Sequence, residues 1–84
     1  MIVVYGRDDC PWCEQAIGIL KGFNHKDYKY LKLDKDITLE DFQKKYPDAE
    51  YVPLIELDGA YLGGYEELCG YMVETYGGGL DNII

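Results

Sequence analysis

Apolar residues run unbroken from Met1 to Tyr5 and stop at Gly6. A short β-branched run of this kind predicts a strand buried on both faces, at a central position in a sheet. Gly6-Arg7-Asp8-Asp9 is polar and turn-like. The spacing then becomes helical, with Cys13, Ile17 and Leu20 at i, i+4 and i+7 and Ala16 beside them. Pro11 suits the first helical position, where its missing N–H has no intrahelical partner. Gly22 suits the stop, and Gly18 weakens the interior by up to ~1 kcal/mol.

From Tyr28 to Leu33 the chain alternates, with Tyr28, Tyr30 and Lys32 on one side and Lys29, Leu31 and Leu33 on the other. This predicts a second, more solvated strand closed by Asp34 to Asp36. Thr38 with Asp41 three residues on is a variant of the capping box. It opens a short helix with Leu39, Phe42 and Tyr46 on one face, ended by Pro47. Val52 to Leu57 predicts a third strand, Asp58-Gly59 a two-residue hairpin turn, and Ala60 to Leu62 a fourth strand. After Gly63-Gly64 a final helix carries Tyr65, Leu68, Met72 and Tyr76 at i, i+3, i+7 and i+11, with Gly77-Gly78-Gly79 as its terminator. Leu80 to Ile84 is then a tail that docks or frays.

The expected order is β-α-β-α-β-β-α, an α/β domain spanning 1–84. A strand–helix–strand start implies a right-handed crossover and parallel pairing of the first two strands. The closing hairpin adds antiparallel strands, giving a mixed four-stranded sheet with three helices distributed over both faces. Eighty-four residues have room for one core.

Composition narrows the class. Hydrophobic residues make up 48% and charged residues 29%, a globular balance. The net charge of −8, with no Lys/Arg cluster, argues against a nucleic-acid partner. The nine tyrosines are scattered and read as packing residues, not as a base-stacking platform. No secretory signal pattern and no apolar run near the roughly 20 residues of a membrane span are present, so a soluble protein of a reducing compartment, the cytoplasm, is expected. Three cysteines, an odd number, do not make a secreted disulfide framework.

The chemistry concentrates at Cys10-Pro11-Trp12-Cys13. A strand leading in and a helix leading out put Cys10 at a helix N-terminus, where backbone N–H groups and the dipole favour a thiolate. Cys13, one turn on, is within reach to close a disulfide. A C-x-x-C thiol so placed has a pKa of roughly 3.5 to 7.5 in place of ~8.5. Cys10 is then the nucleophile that forms a mixed disulfide, and Cys13 the resolving thiol. Pro11 stiffens the loop and Trp12 offers an apolar surface to a substrate. The alternative is a zinc site, for which His25 and Cys69 nominally complete a Cys3His set. Otherwise Cys69 reads as a packed thiol, with a regulatory disulfide or glutathionylation as its alternative, and His25 as a surface residue. No metal is assigned.

Four stretches in this order resemble the glutaredoxin family, the smallest form of the thioredoxin fold: Cys10-Pro11-Trp12-Cys13 after the first strand, Arg7 three residues before it, Val52-Pro53 opening the third strand, and Gly63-Gly64-Tyr65-Glu66-Glu67 opening the last helix. Trp12 stands where the family more often has Tyr, and Arg7 where it usually has Lys. The resemblance implies a glutathione-dependent thiol–disulfide oxidoreductase that reduces protein disulfides or protein–glutathione mixed disulfides. Glutathione would be its reductant or co-substrate, with no tightly bound cofactor. Disulfide-containing client proteins are its partners, ribonucleotide reductase by family analogy alone.

The resemblance also implies roles. Pro53 is cis and faces the cysteines, and Val52 offers its backbone to a substrate strand. Gly64, Tyr65 and Glu66 form an anion seat for the γ-glutamyl carboxylate of glutathione, with Glu66 or Glu67 holding its ammonium. Arg7 meets the glycine-end carboxylate and favours the thiolate. Asp8 and Asp9 work the other way, raising the Cys10 pKa unless they cap the helix, and with the −8 charge they disfavour anionic glutathione. Two further family readings stand beside this one. The first is a glutaredoxin-like thioredoxin recharged by a flavoprotein reductase. The second is an iron–sulfur cluster carrier, against which Pro11 counts.

Overall fold

A computed structural model describes residues 1–81, with side chains described as far as Tyr76. Its elements are β1 (Ile2–Gly6), α1 (Pro11–Gly22), β2 (Tyr28–Lys32), α2 (Leu39–Lys45), β3 (Leu54–Leu57), β4 (Ala60–Gly63) and α3 (Tyr65–Asp81). The sheet order is β2-β1-β3-β4. β1 pairs parallel with β2, and β3 pairs antiparallel with both β1 and β4. This is the mixed four-stranded sheet that the periodicity predicts, with β1 in the interior and β2 at an edge.

The two faces of β1 explain its unbroken apolar run. Ile2 and Val4 enter one core with Ala16, Ile17 and Leu20 of α1, Ile55 of β3, and Leu68 and Met72 of α3. Tyr5 points to the other face and packs with Phe42 of α2 and Leu54. Helices therefore cover both faces, α1 and α3 on one and α2 on the other. Thr38 caps α2 by accepting from the Asp41 N–H at 3.0 Å. Asp58 and Gly59 both take positive φ (51° and 86°), the pair of angles a type I′ hairpin turn requires.

Three boundaries differ from the expectation by more than one residue. β3 begins at Leu54, not Val52: the Val52–Pro53 bond is cis and Pro53 has no N–H for the ladder, so both residues stay outside the strand. α3 passes Gly77 and runs to Asp81, with its break in helical geometry one residue earlier, at Tyr76 (φ −124°, ψ 16°). The expected tail at Leu80 to Ile84 falls partly within that helix, and residues 82–84 lie outside the described part. His25 is a half-buried surface residue: Nε2 donates to the Asp27 carbonyl at 3.3 Å, and Tyr76 Oη lies 3.5 Å from Nδ1. Among the described residues no helix is long and apolar enough to cross a membrane.

Candidate active site

The β1–α1 junction sets the geometry of the cysteines. Asp9 turns the chain with a positive φ of 56°, and Cys10 follows as the N-cap of α1 with extended backbone. Its Sγ accepts from the Cys13 N–H at 3.2 Å, so the sulfur itself fills the capping role. Pro11 occupies the first helical position. Cys10 and Cys13 are joined as a disulfide across a Cα–Cα distance of 5.2 Å. Their burial differs: Cys13 is fully buried, while Cys10 keeps 7% exposure. An incoming disulfide therefore meets Cys10 first.

Gly6 keeps the space behind Cys13 open. A Cβ at this position would lie 3.0 Å from Cys13 Sγ and 2.7 Å from the Tyr30 ring. Gly6→Ala is therefore expected to cost about 1–3 kcal/mol of stability in urea unfolding of the oxidised protein, because both neighbours are packed.

The start of α3 closes the site from the opposite side. Gly63 takes φ 143°, and a side chain there would collide with Glu67. The Gly64 N–H donates to Glu67 Oε1 at 2.7 Å, the return half of a capping box. Glu67 is thus committed to its own helix, and the exposed Glu66 is the carboxylate left to face a ligand. The Tyr65 and Glu66 amides lie in the first turn, where N–H groups lack intrahelical acceptors. The Trp12 and Tyr65 rings meet at 5.4 Å and tie the redox loop to α3. Burial and the adjacent Cys69 thiol push the Tyr65 hydroxyl up, the thiol contributing more.

A groove of about 580 Å³ runs between Trp12, Val52-Pro53 and Gly64 to Glu67. The loop and helix-start residues expected from the sequence are brought together there, with Pro11 exposed beside Trp12. Arg7 is not in that groove. It is exposed and lines a neighbouring one of about 300 Å³, which shares Tyr51 and Val52 with the first. Tyr51, absent from the sequence-based site, is 81% exposed and borders both. Its place directly before Val52-Pro53 is the signal that could have found it.

Asp8 is corrected by the fold. It is ion-paired with Lys35 at 2.7 Å and Lys32 at 3.1 Å, and these bonds hold its carboxyl below the ordinary range. Its charge is offset before it can oppose a Cys10 thiolate. Carboxylates gather instead on the far rim, where Asp48, Glu50 and Glu67 line a groove of about 310 Å³ that continues from the first. Cys69 is a free, half-buried thiol on α3. Among the described residues no three His, Cys, Asp or Glu side chains group as metal ligands, so Cys10, Cys13, Cys69 and His25 are not assembled into the Cys3His set.

A thioredoxin-like fold with a C-x-x-C pair at the start of its first helix defines a class of redox proteins, and comparison with known proteins narrows it. The glutaredoxin family model matches residues 2–62. Glutaredoxin 1 of Escherichia coli is 32% identical over 79 residues, covering 87% of this chain and 93% of that protein. The solution structure of reduced Escherichia coli glutaredoxin superposes with a TM-score of 0.63 at 30% identity, over 87% of this chain and 93% of that one. A protein described as an uncharacterised monothiol glutaredoxin of Caenorhabditis elegans is 32% identical over 69 residues, 79% of this chain. The match spans about half of that longer relative, 47%. The chain belongs to the glutaredoxin family, and with both cysteines in place it is a thiol–disulfide oxidoreductase.

Proposed function

We propose that this oxidoreductase is glutathione-dependent and reduces protein disulfides or protein–glutathione mixed disulfides in a reducing compartment such as the cytoplasm. The observation that carries the reading is the groove running from Trp12 past Val52-Pro53 to the α3 N-terminus, where a γ-glutamyl carboxylate meets exposed helix amides. Glu66 takes the ammonium of that group. Arg7 reaches the glycine-end carboxylate from the adjoining groove.

In the reaction the Cys10 thiolate attacks a substrate disulfide. One sulfur leaves as a thiolate that takes a proton from solvent, and a mixed disulfide forms on Cys10. A protein substrate is held by strand-like pairing to the Val52 backbone. Cys13 then gives up its proton and attacks Cys10 Sγ, which releases the second substrate thiol and leaves the Cys10–Cys13 disulfide. Two molecules of glutathione reduce that disulfide and leave as glutathione disulfide.

The acidic rim of Asp48, Glu50 and Glu67 favours a second reading, recharging by a flavoprotein reductase, because glutathione is itself an anion. The test compares turnover of a glutathionylated peptide with glutathione plus glutathione reductase against turnover with a flavoprotein thioredoxin reductase. Turnover in the first system at least tenfold faster supports glutathione, and the reverse ratio overturns it. Under the glutathione reading, the KM for glutathione falls about two- to threefold between roughly 20 and 300 mM salt, because the Debye length shrinks and rim repulsion is screened. A KM that rises with salt would show that Arg7 outweighs the rim.

A further inference from the structure

Tyr30 carries a feature that the reaction as described does not use. Its hydroxyl is buried and has no hydrogen-bond partner among the described residues. A buried, unpaired hydroxyl is costly, so a second state in which it is paired gains by comparison. The hydroxyl and Cys13 Sγ each lie 3.0 Å from the point where a Gly6 Cβ would sit. Both therefore border the same small space, which Gly6 leaves open in the strand next to Tyr30's own. Tyr30 is paired across β1 and β2 with Val4, so its backbone is fixed by the ladder.

A disulfide sulfur is a poor acceptor, whereas the sulfur freed by reduction accepts strongly whenever Cys13 is in the thiolate form from which it resolves a mixed disulfide. We propose that Tyr30 is a positioning residue for the resolving cysteine: its hydroxyl donates to Cys13 Sγ once the disulfide opens, stabilising the reduced protein and raising its reduction potential.

The charged groups around Tyr30 suit a donor. Burial pushes the phenol up and the Glu14 carboxylate adds to this, with Asp8 acting the same way and Lys32 opposing. The Lys32 ammonium lies 5.4 Å from the ring centroid. The phenol therefore stays protonated at neutral pH, and it supplies a hydrogen bond without taking the Cys13 proton. Reduction breaks the Cys10–Cys13 bond with two electrons from a dithiol, which becomes a disulfide. The protein gains two sulfur termini, a Cys10 thiolate and a Cys13 thiol or thiolate, and protons not kept on sulfur go to solvent. Cys13 is fully buried, so the Tyr30 hydroxyl substitutes for the water that its sulfur cannot reach.

The test is equilibrium of the full chain with dithiothreitol, comparing wild type and Tyr30→Phe by the fraction of reduced protein. It rests on Cys10–Cys13 as the redox pair and involves no glutathione, so its failure leaves the glutathione reading untouched, and the reverse holds as well. The expected result is an equilibrium constant shifted about tenfold toward the disulfide in Tyr30→Phe, about 30 mV for a two-electron couple. Thermal unfolding of the two redox forms is the second measurement. The oxidised variant keeps or gains stability, since it loses an unpaired hydroxyl, and the reduced variant loses stability. A shift below twofold, a shift toward the reduced form, or equal destabilisation of both forms would overturn the proposal and leave Tyr30 a packing residue.

Discussion

Cys10→Ser abolishes reduction of both protein disulfides and glutathione mixed disulfides, a loss of at least about a thousandfold in kcat/KM. The expectation follows from the difference between the two sulfurs. Cys10 caps α1, accepts the Cys13 N–H and retains the exposure through which a substrate can approach. Cys13 is buried, so it cannot replace Cys10 as the first nucleophile. Cys13→Ser behaves differently: it loses the intramolecular resolving step and with it most reduction of protein disulfides. A glutathione mixed disulfide on Cys10 can still be resolved by a second glutathione. Steady-state turnover of the two variants on the two substrate types checks this. Residual Cys10→Ser activity above one per cent of wild type, or equal loss on both substrates in Cys13→Ser, contradicts the assigned roles.

Much of this arrangement is legible from local pattern. The apolar run of β1, the helical stripe after Pro11 and the Asp58-Gly59 turn each encode their element within a few residues, and the fold obeys them. The redox pair is legible for the same reason, because strand, loop and helix start are contiguous. What escapes is set by contacts between distant segments. Asp8 beside Cys10 reads as an opposing charge until β2 and its following turn deliver Lys32 and Lys35 to it. Tyr51 reads as one more tyrosine until the fold places it, with Val52, on the border of both grooves. Glu67 reads as a ligand-facing carboxylate until its bond to the Gly64 N–H assigns it to the helix cap. The helix breaks at Tyr76, immediately before the glycine run, but helical backbone resumes through those glycines to Asp81.

Glu56→Ala is expected to lower the unfolding free energy by about 3 kcal/mol, although the residue lies on the face away from the cysteines. A carboxylate ordinarily faces solvent, yet Glu56 is 3% exposed. It accepts from Tyr5 Oη at 3.1 Å, from Lys45 Nζ at 2.7 Å and from the Tyr46 hydroxyl. Those donors come from β1 and from the end of α2, so one carboxylate fastens that helix to the sheet. Truncation leaves the buried Tyr5 hydroxyl without this acceptor and opens space beside Tyr5 and Tyr46. For a domain of this size the loss lowers Tm by about 4–8 °C per kcal/mol. The effect has a definite pH dependence. Burial pushes Glu56 up, but the bonds from Lys45, Tyr46 and Tyr5 outweigh it and hold the carboxyl below its ordinary range. Its contribution is therefore present above the unfolded pKa of about 4.3 and is lost as pH falls through the lower, folded value. Urea midpoints measured from about pH 7 down to pH 3 check this. Wild type loses its margin over Glu56→Ala toward the acid end; a constant margin would mean that packing, not the charged carboxylate, accounts for the difference.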